Sequence, residues 1–77
     1  MNDKIQESVD SILHQWKLNH PSLRLINDSV QIKHADPDVG IYTLYFRSKT
    51  SDGKSDLVKI KAFDNKFGQG WKLNHLK

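Results

Sequence analysis

Four histidines are the first side chains in this sequence that suggest metal binding: His14, His20, His34 and His75. Zinc sites in proteins use close pairs of ligands, such as two histidines one helical turn apart, with cysteine, histidine or carboxylate completing the set. His14 and His20 are not spaced in this way, and the chain has no cysteine. The spacing therefore predicts surface histidines and no metal site.

Carboxylates can supply acid–base catalysis only where two of them face one cleft. The one glutamate, Glu7, falls on the polar side of a predicted helix, and Gly68-Gln69-Gly70 lacks the Lys-Ser/Thr of a phosphate-binding loop. We therefore predict neither enzymatic activity nor a bound cofactor. The aspartates cluster in segments typical of turns, at Asp28, Asp36, Asp38, Asp52 and Asp64.

Basic and aromatic residues form a more specific pattern in the second half of the chain. Residues 1–46 carry four Lys/Arg and six Asp/Glu, whereas residues 47–77 carry eight Lys/Arg and three Asp. Tyr45 is predicted to lie beside Lys59 and Lys61 on one sheet face, and aromatic stacking with cationic phosphate contacts is how proteins bind single strands. The alternative is a lysine-rich, solvated sheet surface that resists edge pairing.

Apolar side chains collect on the same predicted face. Ile41, Leu57 and Phe63 join Tyr45 there, which is more apolar surface than a face open to water requires. We therefore predict a small non-enzymatic protein-interaction module of adaptor, inhibitor or immunity type, which uses the sheet face or an edge and has a homodimer as one possible form. A nucleic-acid-binding domain that uses the basic half is the alternative. The predicted binding residues are Ile41, Tyr45, Arg47, Leu57, Lys59, Lys61 and Phe63.

The segment from Ile41 to Phe63 is predicted to be one β-hairpin. Its two arms alternate apolar and polar residues around a run rich in turn-forming residues. A two-residue turn at Asp52-Gly53 would set apolar side chains opposite lysines, whereas the three-residue loop Ser51-Asp52-Gly53 pairs them with one another. We predict the three-residue loop. Its cross-strand pairs are Phe46 with Val58, Leu44 with Ile60, and Tyr42 with Ala62.

An amphipathic helix is predicted over residues 3–18. Apolar residues recur there at the spacing of one helical face, and the charged residues fall away from that face. Such a stripe must cover an apolar surface, and the hairpin face that carries Leu44 is the obvious candidate. The stripe consists of Ile5, Val9, Ile12, Leu13 and Trp16.

Residues 22–34 allow two interpretations. Apolar residues alternate on both sides of Asn27-Asp28-Ser29, but their parity changes across that tripeptide. One interpretation is a single strand with a bulge. The other is a short extended arm, a turn, and a strand of about residues 29–34. We favour the second, because Asn-Asp-Ser is typical of turns.

A short last strand is predicted from Trp71 to Leu76, with Trp71, Leu73 and His75 on one side. The pentapeptide Trp-Lys-Leu-Asn-His at 71–75 also occurs at 16–20, where the helical pattern ends. This is not the periodic repetition of a solenoid protein. The sequence alone gives no structural reason for it.

Two parts of the chain resemble known families. Val58 to Phe63, the polar turn after it and Gly70-Trp71-Lys72-Leu73 resemble the closing strands of cystatin-like and NTF2-like folds, which implies half of a small-ligand-binding or dimeric fold. This resemblance covers about a quarter of the chain. The order of a helix, three strands and Gly68-Gln69-Gly70 resembles the start of a double-stranded RNA-binding domain, but the basic second helix of such a domain has no counterpart here.

These patterns predict an α+β fold, in which an N-terminal amphipathic helix packs on a three- or four-stranded antiparallel β-meander. We predict a single domain over residues 1–77, since a chain of this length makes one domain at most. Such a chain buries only about 60–65% of its unfolded surface, so its core is marginal. No apolar run follows Met1-Asn2-Asp3-Lys4, so we predict no signal peptide, no membrane segment and a cytoplasmic location.

Overall fold

One helix and four strands make up the protein in a computed structural model, which describes residues 3–65 and 70–76. The elements are α1 (Asp3–Asn19), β1 (Arg24–Asp36), β2 (Ile41–Lys49), β3 (Ser55–Asp64) and β4 (Trp71–His75). The strands form one antiparallel sheet in the order β1-β2-β3-β4, so each strand pairs with its neighbour in sequence. Because α1 packs on one face of this open sheet, the predicted α+β meander is confirmed.

The register of the central hairpin is the predicted one. Tyr42 pairs with Ala62, and Leu44 pairs with Ile60. The N–H of Thr50 donates to the carbonyl of Lys54 at 2.8 Å, so this pair extends the hairpin beyond β2 and β3 and leaves the predicted three-residue loop Ser51-Asp52-Gly53. Gly53 closes the loop with a φ of 92°, a left-handed backbone conformation that favours glycine. The alternation therefore directs the apolar side chains on the hairpin face that carries Leu44 toward the core.

The apolar stripe of α1 packs on this sheet face, as predicted. Val9, Ile12 and Trp16 are buried, and the Trp16 ring meets the Phe46 ring edge to face with centroids 5.0 Å apart. Burial of one large apolar side chain contributes roughly 1.5–3 kcal/mol, so this interface supplies much of the stability. α1 is the one helix among the described residues, and its length and hydropathy do not suffice to cross a membrane.

The interpretation of the segment before the hairpin as arm, turn and strand is wrong. It forms a single strand, β1, with a bulge between the pairs Ile26–Arg47 and Gln31–Tyr45, where four residues of β1 face one of β2. Ser29 lies inside the bulge. Its hydroxyl donates to the carbonyl of Ile26 at 2.6 Å and accepts the N–H of Arg47 at 2.8 Å. This side chain serves the β2 amide, so the ladder continues without a turn.

β4 begins at a contact with the helix. The side-chain amide of Gln15 donates to the carbonyl of Trp71 and accepts the Trp71 N–H at 2.6 Å. A single primary amide therefore pairs with both backbone groups of Trp71, as a neighbouring strand would. Gly70 permits this approach, because a Cβ atom there would lie 2.6 Å from Gln15 Oε1. Residues 66–69, which precede Gly70, lie outside the described residues. They include Gly68 and Gln69 of the Gly68-Gln69-Gly70 motif.

The two copies of Trp-Lys-Leu-Asn-His meet in space. The first copy ends α1, and the second forms β4 with Trp71 and Leu73 packed on the core side, as predicted. Trp16 Nε1–H donates to His75 Nε2 at 3.5 Å, and the rings of His20 and His75 meet edge to face with centroids 5.4 Å apart. The repetition therefore contributes both sides of one aromatic contact between helix and sheet.

Candidate binding face of the sheet

The sheet has an inner face, covered by α1, and an outer face directed away from it. Strand alternation puts the buried residues of β2 and β3 on the inner face, so their neighbours lie on the outer face. Cross-strand pairing then aligns Ile41 with Phe63, Tyr45 with Lys59, and Arg47 with Leu57. All seven predicted binding residues therefore share the outer face: Ile41, Tyr45, Arg47, Leu57, Lys59, Lys61 and Phe63.

The outer face is strongly cationic. Among the residues that strand pairing assigns to it within the described part of the chain, the one carboxylate is Asp36, opposite Ile41. The edge strands add cations that the sequence did not assign to the site, namely Arg24 opposite Lys49 and Lys72 opposite Phe63. The cationic side chains of the outer face are Arg24, Lys33, Arg47, Lys49, Lys59, Lys61 and Lys72.

Tyr45 lies between two ammonium groups at the centre of this face. Lys59 Nζ, from the opposite position on β3, lies 5.3 Å from the centre of the Tyr45 ring. Lys33 Nζ lies at the same distance. Lys33 follows Ile32, which pairs with the inner-face residue Leu44, so alternation puts Lys33 on the outer face, where β1 has a second irregularity between Ile32 and His34. Each such contact is worth about 0.5–1 kcal/mol at an exposed site.

The apolar side chains of the outer face do not form one continuous exposed patch. Lys61 Nζ lies 5.5 Å from the ring centre of Phe63, so a lysine also overlies the second aromatic ring. Ile41, Tyr45 and Phe63 are half-buried, whereas Leu57 is 52% exposed. Cationic and apolar groups therefore alternate across the face, and lysine stems shield much of its aromatic surface.

The β2–β3 turn holds a carboxyl group, that of Asp52, whose pKa is displaced. A hydrogen bond from the Thr50 hydroxyl lowers the pKa of Asp52 below its usual value. The cause of this lower pKa is local, since Thr50 and Asp52 belong to the same turn and their hydrogen bond organises it. The lower pKa therefore indicates an ordered hairpin end.

Two of the four histidines, His20 and His75, lie beside Trp16, and the other two lie apart from them. The His20 ring stacks on Trp16 at 4.5 Å, and His75 contacts both residues. His14 lies on the exposed side of α1, and His34 lies on the outer face opposite Thr43. Within 3–65 and 70–76, no three histidine or carboxylate side chains gather closely enough to hold a metal ion.

Lys33 was not among the predicted site residues, for a structural reason. Simple alternation along β1 puts Lys33 and Ile32 on opposite faces, but the favoured interpretation placed a turn before them and left their faces unassigned. Gln15 was missed because nothing in the helical pattern marks a polar residue that reaches a strand edge. The parity change at Asn27-Asp28-Ser29 was the available signal for the bulge.

Comparisons of the chain with protein-family models, with curated proteins and with solved structures give no match. The function is therefore inferred from the chemistry of the outer face alone.

Proposed function

We propose that the protein is a non-enzymatic binding module that binds single-stranded nucleic acid across the outer face of its sheet. The observation that carries this proposal is the placement of Tyr45 between the ammonium groups of Lys33 and Lys59 on an open, cationic face. Aromatic rings offer stacking surfaces for bases, and the flanking ammonium groups suit phosphates.

Phe63 offers a second stacking surface on the neighbouring strand. It pairs with Ile41, four positions from Tyr45 along β2, so the two rings are about 13 Å apart along the strand direction. Lys61 accompanies Phe63 as Lys59 accompanies Tyr45. The face thus repeats one arrangement, a ring with an adjacent ammonium group, which suits a ligand whose bases and phosphates also repeat.

The kind of cation favours nucleic acid over a protein ligand. Lysine is depleted in protein–protein interfaces, whereas aromatic residues and arginine are enriched in them. Five of the seven cations on the outer face are lysines: Lys33, Lys49, Lys59, Lys61 and Lys72. The proposed ligand is therefore a polyanion that compact point charges can follow along its backbone.

Protein interaction, the function expected from the sequence, is the second candidate. It is supported by Leu57, a large exposed apolar side chain directly opposite Arg47, an arrangement suited to an acidic partner protein. A homodimer through the outer face is less favourable, because it would oppose two surfaces of the same charge. Sedimentation at tens of micromolar tests that form, since a monomer mass argues against it. The cytoplasmic location likewise stays a prediction.

Fluorescence anisotropy with a labelled, mixed-sequence single-stranded oligonucleotide at 50 and 200 mM salt tests the proposal. We expect binding that weakens steeply with salt. The slope of the logarithm of the association constant against the logarithm of salt concentration should decrease in magnitude by about 0.7 for each phosphate contact removed. Lys59→Gln and Lys61→Gln should each weaken binding and lower the slope. Lys54→Gln, the same charge change in the exposed β2–β3 loop, is the matched control. An absence of binding at 50 mM salt rejects the proposal.

Tyr45→Leu separates stacking from general attraction to a polyanion. Loss of one base-stacking contact should weaken oligonucleotide binding about fivefold or more, because such contacts are worth about 1–3 kcal/mol. Polyglutamate of equal charge provides the comparison ligand. If it binds as tightly as the oligonucleotide and Tyr45→Leu changes neither affinity, the face recognises acidic chains in general and the second candidate replaces the first.

A further inference from the structure

A groove of about 700 Å³ opens at the end of the sheet, where the β2–β3 loop approaches the connection between α1 and β1. We name it the end groove. Three separate elements line it with a cation: Lys17 of α1, Arg24 of β1 and Lys49 of β2. Ser22 and Ser51, which carry hydroxyl groups, also line it. Its residues therefore offer both positive charge and hydrogen-bond donors, which are the groups that bind phosphate.

Among the described residues, no carboxylate forms an ion pair with the cations of the end groove. Arg24 and Lys49 are direct cross-strand partners, and like charges in that position destabilise a sheet. Lys17, Arg24 and Lys49 form no ion pair with any residue in 3–65 or 70–76. Asp52 is the one carboxylate among the residues that line the groove, and it accepts the Thr50 hydroxyl. The lining residues therefore retain a net positive charge of two.

The end groove is continuous with the outer face, because Arg24 and Lys49 belong to both. A strand that follows the cations of the outer face would reach the groove at the hairpin end. There it would meet Lys17, which lies beyond the sheet at the end of α1. The groove therefore adds a cluster of donors at the point where a bound strand leaves the sheet.

From this arrangement we propose that the end groove binds a phosphate monoester dianion, the group that a terminally phosphorylated strand carries. The inference that a nucleic-acid strand carries this phosphate rests on the proposed function. The inference that the groove binds a phosphate group rests on the groove's own residues. A terminal monoester carries nearly two negative charges at neutral pH, whereas each internal diester carries one. The groove thus distinguishes the end of a strand from its interior, and a free phosphate compound could supply the same group.

Oligonucleotides of one sequence with a 5′-phosphate, a 3′-phosphate or neither test the inference by fluorescence anisotropy. One phosphorylated form should bind roughly tenfold more tightly than the unphosphorylated form, as expected for charge-assisted hydrogen bonds in the groove. Lys17→Gln and Lys49→Gln should abolish this advantage, and Lys54→Gln should retain it. Circular dichroism checks that each variant is folded. Equal affinity of all three oligonucleotides excludes a strand end as the ligand.

Inorganic phosphate, titrated at constant ionic strength against chloride, tests the site independently of nucleic acid. Amide NMR shifts should move at Ser22, Arg24 and Lys49, and Lys49→Gln should suppress these changes. If phosphate shifts these amides while no oligonucleotide binds, the proposed function fails, the groove is retained and a free phosphate compound is its ligand. If neither phosphate nor terminal phosphorylation has a localised effect, the inference is overturned.

Discussion

The two faces of the sheet are made by alternate residues of the same strands, yet they are covered by different means. On the inner face, Leu44, Phe46 and Ile60 are completely buried beneath α1. On the outer face, Tyr45 and Phe63 are half-buried beneath the ends of lysine side chains. A second packed layer therefore stabilises one face, whereas the other is shielded by flexible, charged groups that a ligand can displace.

With the proposed function, this difference puts stability and recognition on opposite sides of the same backbone. Burial of apolar area is the main source of folding free energy, and it is concentrated on the inner face. The cations of the outer face repel one another, and this repulsion opposes folding slightly. Substitutions on the inner face should therefore change stability, whereas substitutions on the outer face should mainly change binding.

Adjacent residues of β2 provide the most direct test of this comparison. Phe46→Ala should lower the free energy of unfolding by about 3–5 kcal/mol, because it leaves a cavity beneath Trp16. Arg47→Ala, one position along and on the outer face, should change it by less than about 0.5 kcal/mol while weakening oligonucleotide binding. Urea unfolding measures both. Phe46→Leu provides a milder variant if Phe46→Ala does not fold, and similar losses for Phe46→Leu and Arg47→Ala would contradict the assignment.

Gln15 tests how the inner face is closed along the β4 edge. Gln15→Met keeps the side-chain volume but removes both hydrogen bonds to Trp71, so we expect a loss of about 1–3 kcal/mol. Gln6→Met is the matched control, since Gln6 donates only to Asp10 on the exposed side of α1. Hydrogen exchange of the Trp71 amide should accelerate in the first variant alone. Unchanged exchange would mean that the Gln15 amide does not hold the edge.

The Arg24–Lys49 pair tests charge repulsion on the outer face. Lys49→Gln should raise the free energy of unfolding by roughly 0.2–1 kcal/mol at low salt, because it removes a like-charge cross-strand pair. The gain should largely disappear in 0.5 M NaCl, where these exposed charges are screened. Urea unfolding at both salt concentrations measures it, with Lys54→Gln as the control. A gain that is independent of salt would point to a cause other than repulsion.

Asp52 should produce the smallest effect, because it is fully exposed in the β2–β3 loop and belongs to neither face. The Thr50 hydrogen bond lowers its pKa in the folded state. The ionised Asp52 carboxylate therefore contributes stability above the pKa that Asp52 has in the unfolded chain. This contribution is lost as pH falls through the lower pKa of Asp52 in the folded protein. An NMR titration of the Asp52 carboxyl group should show a midpoint below that of an ordinary aspartate. The midpoint should rise in Thr50→Val, and an unchanged midpoint would exclude the hydroxyl as the cause.

Local patterns were sufficient to predict the hairpin, its register and the helix. The register followed from one constraint, because a shift by a single residue would have placed Phe46 opposite Lys59. β1 could not be predicted in the same way, since its continuity depends on the Ser29 hydroxyl, which bonds to a residue 18 positions away. Asn-Asp-Ser has the composition of a turn, and the tertiary contact overrides that preference.

The candidate site was predicted in part for a related reason. Alternation within the hairpin brought together its seven predicted residues, but it carried no information about the edge strands. Lys33, Arg24 and Lys72 reach the outer face through the pairing of β1 and β4 with the hairpin. Without these cations, the apolar residues dominated the prediction and favoured a protein ligand. With them, the charge of the face favours nucleic acid.

The repeated pentapeptide shows how one spacing can satisfy two kinds of secondary structure. Trp and His are four residues apart in each copy, an interval close to one helical turn and equal to two strand repeats. Both side chains therefore lie on the same side in either conformation. In the helical copy, Trp16 and His20 stack on each other. In strand β4 the same interval spans about 13 Å, so Trp71 and His75 cannot stack. Trp71 packs on Tyr42 instead, and His75 contacts Trp16. The pentapeptide alone is thus compatible with both helix and strand, and the conformation of each copy is determined by the segments that surround it.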